Sequence, residues 1–328
     1  MLNFRRTLRA LCLCLPLAGP MALAEPVAEE PASPRVGDWL QHLQDRFGTK
    51  SAQPYQPVFS PNPKHPIREY IVGIHPLHNP KRLFEIYGPL VETINNKIPG
   101  SEFKLEASRN YQEFDKKLYS GHFDFALPNP YQTINALKHG YRVFGKMADD
   151  ADFRGIILVR KDSGINGVAD LKGKAVSYPA KTALAATMLP QHFLHTHGID
   201  VNRDIENRYV GSQESSILNV LMGNVAAAAT WPVPWKTFAL EHPEQAAELE
   251  VKWQTESLLN NGWVVREDIA ADIVVQVAAV LFSLQDSPAG RGILKAVPVS
   301  RFEPADNQTY APVEEFLKTF NQNVRPID

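Results

Sequence analysis

Cysteine is almost missing from this chain: the two copies, Cys12 and Cys14, both stand in an apolar stretch near the N-terminus. That stretch, Ala10 to Ala18, follows a basic start at Arg5, Arg6 and Arg9 and runs to a small-residue site at Ala22-Leu23-Ala24. Such a pattern predicts a secretory signal peptide, residues 1–24, cleaved after Ala24, and hence a periplasmic location. Neither cysteine is preceded by the small residues that a lipoprotein signal requires. The expected mature chain has no thiol, which excludes disulfides, cysteine nucleophiles and thiolate metal sites even in an oxidising compartment. Long hydrophobic runs are also lacking. Pro16 and Pro20 interrupt the N-terminal stretch, and the run from Ile273 to Leu284 is too short to cross a bilayer, so it reads as a buried core helix.

There is no excess of positive charge. The sequence carries 34 basic and 36 acidic residues, a net charge of −2, and loss of three arginines with the signal leaves 31 against 36, a net of −5. That balance does not suit nucleic acid. The signatures of catalysis are absent too: no Gly-x-Ser-x-Gly elbow, no phosphate loop and no His-Glu-x-x-His helix. Neither an enzyme nor a cofactor is therefore expected. Histidines cluster at His75 and His78 and again at His192, His195 and His197. On a helix His192 and His195 share a face while His197 points elsewhere, no further ligand is evident, and histidines before Gly198 suit a helix C-terminus. No metal is expected.

Proline, by contrast, is concentrated in residues 25–66, from Pro26 to Pro66, around a short helical pattern at Val36 to Phe47. This reads as an extended leader that holds a folded body away from whatever precedes it. From Ile67 the chain alternates. Strand signals at Arg68–Ile74, Phe103–Ala107, Phe123–Leu127 and Arg154–Arg160 are separated by helical spacing at Pro80–Ile98, Tyr111–Tyr119 and Tyr131–His139. A second series follows, with strands at Lys174–Tyr178, Asn207–Val210 and Ala226–Thr230 and helices at Thr182–His197 and Ser215–Met222. A strand at Gly262–Arg266 and helices at Ile269–Leu284 and Val313–Phe320 complete it. Alternation of this kind predicts an α/β fold of parallel strands with helices on both faces, and about 300 mature residues divide naturally into two lobes.

Within that frame Ser177-Tyr178-Pro179-Ala180-Lys181-Thr182 follows a strand and opens a helix. Free backbone N–H groups at a helix start, the Thr182 hydroxyl and the compact charge of Lys181 would make an anion site there, and Tyr178 lies in the same turn. An ordinary N-cap, with Thr182 serving its own helix, explains the same residues. Gln213, Asn129 and Asn261 are neutral hydrogen-bonding candidates at strand ends, or else turn chemistry. Trp231 and Trp235 could form an aromatic wall for a ligand, or only pack the junction between lobes.

Several stretches, taken together, carry a resemblance. Ile71-Val-Gly-Ile74 before a helix, Asn110-Tyr111, Gly121-His-Phe-Asp-Phe-Ala-Leu-Pro-Asn-Pro-Tyr131, Val159-Arg-Lys-Asp-Ser-Gly-Ile165, Asp170-Leu-Lys-Gly-Lys174 and Val210-Gly-Ser-Gln-Glu-Ser-Ser-Ile-Leu-Asn-Val220 resemble, in order and spacing, the phosphonate-binding, PhnD-like family of periplasmic solute-binding proteins. The likeness covers roughly Ile67 to Arg266. It implies the two-lobed type II periplasmic-binding-protein fold: a mainly parallel sheet flanked by helices in each lobe, a two-strand hinge, and a ligand held between lobes. Lobe 1 would be residues 67–158 and 254–328, and lobe 2 residues 159–253. The resemblance also implies a small anionic ligand of the phosphate or phosphonate type, a monomer, and delivery to an ABC-transporter permease. A sensor that signals to a receptor kinase needs the same cleft and stays open as an alternative.

By the same resemblance the 177–182 turn grips an anionic head group, Tyr111 is an aromatic cleft residue that hydrogen-bonds the ligand, and Tyr131 closes a cleft motif. Phe153 stands where the family has a tyrosine and has no hydroxyl to offer. Around Pro232-Val233 and at Asn260-Asn261 the phosphonate binders carry acidic residues that pair with a ligand amine, and this chain has none there. An amine would lack its counter-charge, so an anion or a neutral polar solute is expected rather than 2-aminoethylphosphonate.

Overall fold

The computed structural model describes residues 67–327. The expected signal peptide, its cleavage site and the proline-rich leader, residues 1–66, lie outside the described residues. Two mixed sheets carry the fold. The first holds β1 (Arg68–Ile74), β2 (Ser101–Ala107), β3 (Phe125–Leu127), β4 (Tyr141–Met147), β10 (Gly262–Arg266) and β11 (Phe302–Pro304), in the order β11-β4-β10-β3-β1-β2. The second holds β5 (Arg154–Arg160), β6 (Ala175–Tyr178), β7 (Glu206–Tyr209), β8 (Ala227–Thr230) and β9 (Leu249–Ser257), in the order β7-β6-β8-β5-β9.

Parallel pairing appears where strand and helix signals alternate, at β1 with β2 and β3 and at β6 with β7 and β8. Where the chain changes sheet, the pairing is antiparallel: β5 against β8 and β9, β10 against β3 and β4. The reason is directional. A strand fed by a βα unit ends at the carboxyl edge of its sheet, whereas a strand arriving from the other sheet starts at that edge and runs back. Strand β4 gave no clear signal in the sequence because Arg142, Gly145 and Lys146 break its apolar pattern. Lys146 is nonetheless only 5 % exposed, neutralised by Asp150 at 2.9 Å and Glu303 at 2.6 Å.

Four helices that begin at the carboxyl edges carry a side-chain cap. Asn79 caps α1 (Pro80–Lys97), Asn110 caps α2 (Tyr111–Tyr119), Asn129 caps α3 (Pro130–Leu137) and Ser212 caps α5 (Gln213–Leu221). In every case the side-chain oxygen accepts the N–H three residues on, which satisfies a donor the helix cannot. The apolar stripe of α1 (Leu83, Ile86, Tyr87, Leu90, Val91, Ile94) is buried, as its spacing predicts. The helix expected from Thr182 begins instead as a π turn at Leu184–Met188 and continues as α4 (Leu189–Thr196). Pro190 has no N–H to return to the preceding turn, and the backbone widens there.

The chain crosses between sheets at residues 148–153 and again at 258–261, so the boundaries expected at 158/159 and 253/254 fall inside β5 and β9. The two crossings are bonded to one another. Asn260 donates from its backbone N–H to Asp150 (2.9 Å) and from its side chain to the Ala148 carbonyl (2.8 Å), and Leu258 N–H donates to the Phe153 carbonyl (2.9 Å).

The start of the Leu184–Thr196 helix lies tight against β5 because residue 155 is glycine. A Cβ there would stand 2.6 Å from Pro190 Cδ and 2.7 Å from the Ala185 carbonyl oxygen. Gly155→Ala should therefore cost about 1–3 kcal/mol, read as a lowered melting temperature. Gly292→Ala, on the helix Pro288–Ala296 with open space around its Cβ, should be neutral or slightly stabilising.

Candidate functional site

Both sheets direct their carboxyl edges into a single crevice, where ligands of open α/β sheets are expected. A narrow inner cavity lies there. The first lobe contributes His75 after β1, Tyr111 at the start of α2 and Asn129 at the start of α3. The second contributes Ala183 to Ala186, Gln213 and Trp231, and each crossing adds one residue, Phe153 and Asn261. The centre of a water-sized sphere has about 10 Å³ to move in, room for roughly one water. Gln213 also borders a wider outer groove of about 320 Å³, between the starts of α1 and α5.

Asn261 is the most informative of these residues. It is 1 % exposed, and its backbone is held on both sides: the carbonyl accepts from Met147 N–H and the amide donates to Asn260 Oδ1. Its side-chain Nδ2 and Oδ1, however, have no hydrogen-bond partner. An unpaired buried amide costs about 1–3 kcal/mol per group, so a site that retains one is organised for a partner it does not itself provide.

The 177–182 turn is arranged differently from its expected form. Ser177 bonds inward to Ser216, Tyr178 is fully buried, and Lys181 is exposed to solvent. Thr182 is half-buried and takes part through its carbonyl, which accepts from Asn129 Nδ2 at 3.1 Å. None of Tyr178, Lys181 and Thr182 lines the inner cavity. The helix starts two residues later, and the N–H groups of Leu184, Ala185 and Ala186 have no backbone acceptor while their residues line the cavity. These amides, at the positive end of a helical segment, can hold negative charge without a cationic side chain.

Other residues close the lobes. Tyr111 of the first lobe and Gln213 of the second both line the inner cavity, and Gln213 Oε1 is held by the Thr230 hydroxyl at 2.9 Å. Burial raises the Tyr111 phenol above its ordinary range. A hydrogen-bonded chain runs from Asp115 Oδ1 to Gln132 Nε2 (2.6 Å), from Gln132 Oε1 to the Asn129 N–H (3.0 Å), and from Asn129 to Thr182. Asn129 is thus cap and clasp at once. On the far side, Arg325 donates to the Lys181 carbonyl at 2.7 Å and to Gln191 at 2.8 Å. Trp231 faces Phe153 with ring centroids 5.6 Å apart, whereas Trp235 stacks on Phe238 away from the cavity. Tyr131 is half-buried outside it.

His75, considered in the sequence only as half of a metal pair, is brought into the site by its place after β1. It is 3 % exposed, and burial lowers its pKa to about 4. Among the described residues no three potential metal ligands come together, and no side chain lining the inner cavity is acidic. The carboxyl-end position of His75 was a usable signal; the unpaired amide of Asn261 was not, since it arises from the crossing geometry.

Residues 72–310 match the family model described as the ABC transporter, phosphonate, periplasmic substrate-binding protein. In fold the chain is similar to PhnD1 of Prochlorococcus marinus, solved in complex with methylphosphonate (TM-score 0.71, 18 % identity, 78 % of this chain and 99 % of that one). It is also similar to a binding protein component of an ABC phosphonate transporter from Pseudomonas aeruginosa (TM-score 0.70, 16 % identity, 78 % and 88 %). The tetrathionate sensor histidine kinase TtrS of Salmonella typhimurium is 26 % identical over 153 residues, 44 % of this chain but only 26 % of the kinase.

The buried imidazole makes stability depend on pH. With a folded pKa of about 4 against an ordinary 6.5, the unfolded chain takes up the proton first. The stability gained from a neutral His75 is complete above about pH 6.5 and is lost as pH falls toward 4, by up to roughly 3 kcal/mol. Denaturant melts at a series of pH values should show this loss; His78, lowered to about 4 by burial as well, adds to it, so His75→Asn should reduce the loss by about half and the double replacement of His75 and His78 should flatten it. Asp115, raised to about 6 by burial, works in the opposite sense: its contribution declines as pH rises from about 4 to 6, a slope Asp115→Asn should remove.

Proposed function

The chain belongs to the phosphonate-binding family of periplasmic ABC-transporter substrate-binding proteins, and on that premise we propose that it captures a small oxyanion at the inner cavity, which widens beyond its one-water room to admit it, and carries it to an ABC importer. The lobes are divided at the crossings 148–153 and 258–261, and closure of one upon the other encloses the ligand. The anion is held by the N–H groups of Leu184, Ala185 and Ala186 and by Asn261, Tyr111 and Gln213, with the Phe153 and Trp231 rings against its apolar part. The observation that carries this reading is the buried, unpartnered amide of Asn261 beside free helix-start amides. With no acidic side chain on the lining, a ligand amine has nothing to pair with, which favours phosphite, phosphate or a simple alkylphosphonate. The protein acts as a monomer in the periplasm after cleavage behind Ala24. The similarity to the sensor kinase spans only 26 % of that protein, and the importer role is the one adopted.

Binding alone suffices energetically. A micromolar complex needs about −8 kcal/mol, and a few charge-assisted hydrogen bonds of about 1.5–3 kcal/mol each provide it after ordering costs. No chemical step is assigned to the cavity.

Thermal unfolding against phosphite, phosphate, methylphosphonate, 2-aminoethylphosphonate, carboxylates and neutral metabolites tests the proposal. An oxyanion at about 100 times its Kd should add about 2.7 kcal/mol and raise the melting temperature by several degrees, with 2-aminoethylphosphonate weaker than methylphosphonate. Asn261→Ala should fold normally and lose tenfold or more in affinity. Stabilisation by neutral compounds alone, or by none of the panel, overturns the reading.

A further inference from the structure

His75 has a commitment that fixes its chemistry. Its Nδ1 lies 3.1 Å from the Leu127 carbonyl oxygen, and a carbonyl only accepts, so Nδ1 carries the hydrogen. In the neutral ring Nε2 is then a lone pair. No described residue bonds Nε2, and the ring lines the inner cavity, edge-on to Tyr111 with centroids 6.2 Å apart. The surroundings on balance oppose a charged imidazole. Burial acts first and outweighs the Leu127 carbonyl, which favours the charged form; His78 acts in the same direction as burial, and no carboxylate lines the cavity. The imidazole therefore stays neutral through the neutral pH range.

The other free polar groups of the cavity are mostly donors, three backbone amides and the Nδ2 of Asn261, with the Oδ1 of Asn261 as a second acceptor on the opposite, hinge side. These suit the bare oxygens of any oxyanion. Nε2 suits none of them, because two lone pairs meeting in a dry cleft repel and both remain unpaired. It needs an O–H. Phosphonate, phosphite and phosphate monoanions retain one near neutral pH, whereas sulfonates and sulfate do not, although their size and shape are almost the same.

Resting on the oxyanion reading above, we infer that His75 is a specificity-determining residue whose Nε2 accepts the O–H of a monoprotonated phosphorus oxyanion and so rejects the isosteric sulfur oxyanion. A site built to bond a ligand hydroxyl discriminates strongly against the analogue that lacks it, because its own buried polar group is left unpaired. Size cannot make this distinction; a proton can.

Isothermal titration of the intact protein with methylphosphonate and with methanesulfonate, near neutral pH, tests it. Methylphosphonate should bind at least about 100-fold tighter. In His75→Asn the new amide nitrogen can still donate to the Leu127 carbonyl, so folding is retained while the lone pair is lost, and the ratio should fall to within about tenfold through weaker methylphosphonate binding. A ratio near one in the unaltered protein overturns the role whether or not the variant folds, and a ratio that Asn261→Ala abolishes while His75 is intact assigns the O–H to Asn261 and overturns it too. Should methanesulfonate bind as tightly as methylphosphonate, or the variant fold and keep the full ratio, the role of His75 is overturned while the oxyanion site stands. If neither compound binds, both readings fall.

Discussion

Two short crossings, hydrogen-bonded to each other, hold this structure together. Residues 148–153 and 258–261 are paired through Asn260, Asp150, Leu258 and Phe153, and the Tyr310 hydroxyl adds a bond to the Asn260 carbonyl at 2.6 Å. The pairing brings the carboxyl edges of two sheets face to face. It also requires β5 and β10 to run against their neighbours, which is why neither sheet is wholly parallel. Beneath it lies Lys146, a buried cation between Asp150 and Glu303. Such a group is costly unless fully paired, and here the pairing ties β4, β11 and the first crossing into one unit.

The cleft inherits its character from that hinge. Each crossing contributes one side chain to the inner cavity, Phe153 from the first and Asn261 from the second. One is an aromatic face without a hydroxyl and the other an amide left unbonded. Opposite them, the widened turn at Leu184 presents backbone amides rather than a lysine, since Lys181 lies in solvent. A cavity furnished in this way can take an anion by dipoles alone. On the proposed reading it would discriminate by the geometry of donors and acceptors rather than by net charge, since no carboxylate lines it.

Closure is distributed over several modest bonds. Asn129 to Thr182, and Arg325 to Lys181 and Gln191, each cross from one lobe to the other. The exposed Arg82–Glu241 and Lys236–Asp152 pairs add little beyond orientation. No single contact dominates the closure.

Much of this was legible before any coordinates. Apolar periodicity marked α1, α2 and α3, and β-branched and apolar runs marked β1 and β5, because these are local properties carried by neighbouring residues. The missing acidic residues near Pro232 and Asn260 were equally plain. Other features required the folded chain. Lys146 concealed β4, since a charge inside a strand makes sense only once Asp150 and Glu303 are seen beside it. Pro190 and Gly155 moved the start of a helix by two residues and carried its free amides from Thr182 to Leu184. His75 and Asn261 are far apart in sequence, and only the paired crossings bring them to one cavity. The sequence by itself determined which elements form and which charges the site lacks, because local propensity and composition decide both. The tertiary structure alone decided which polar atoms are left without partners, because that depends on every neighbour the fold brings within reach.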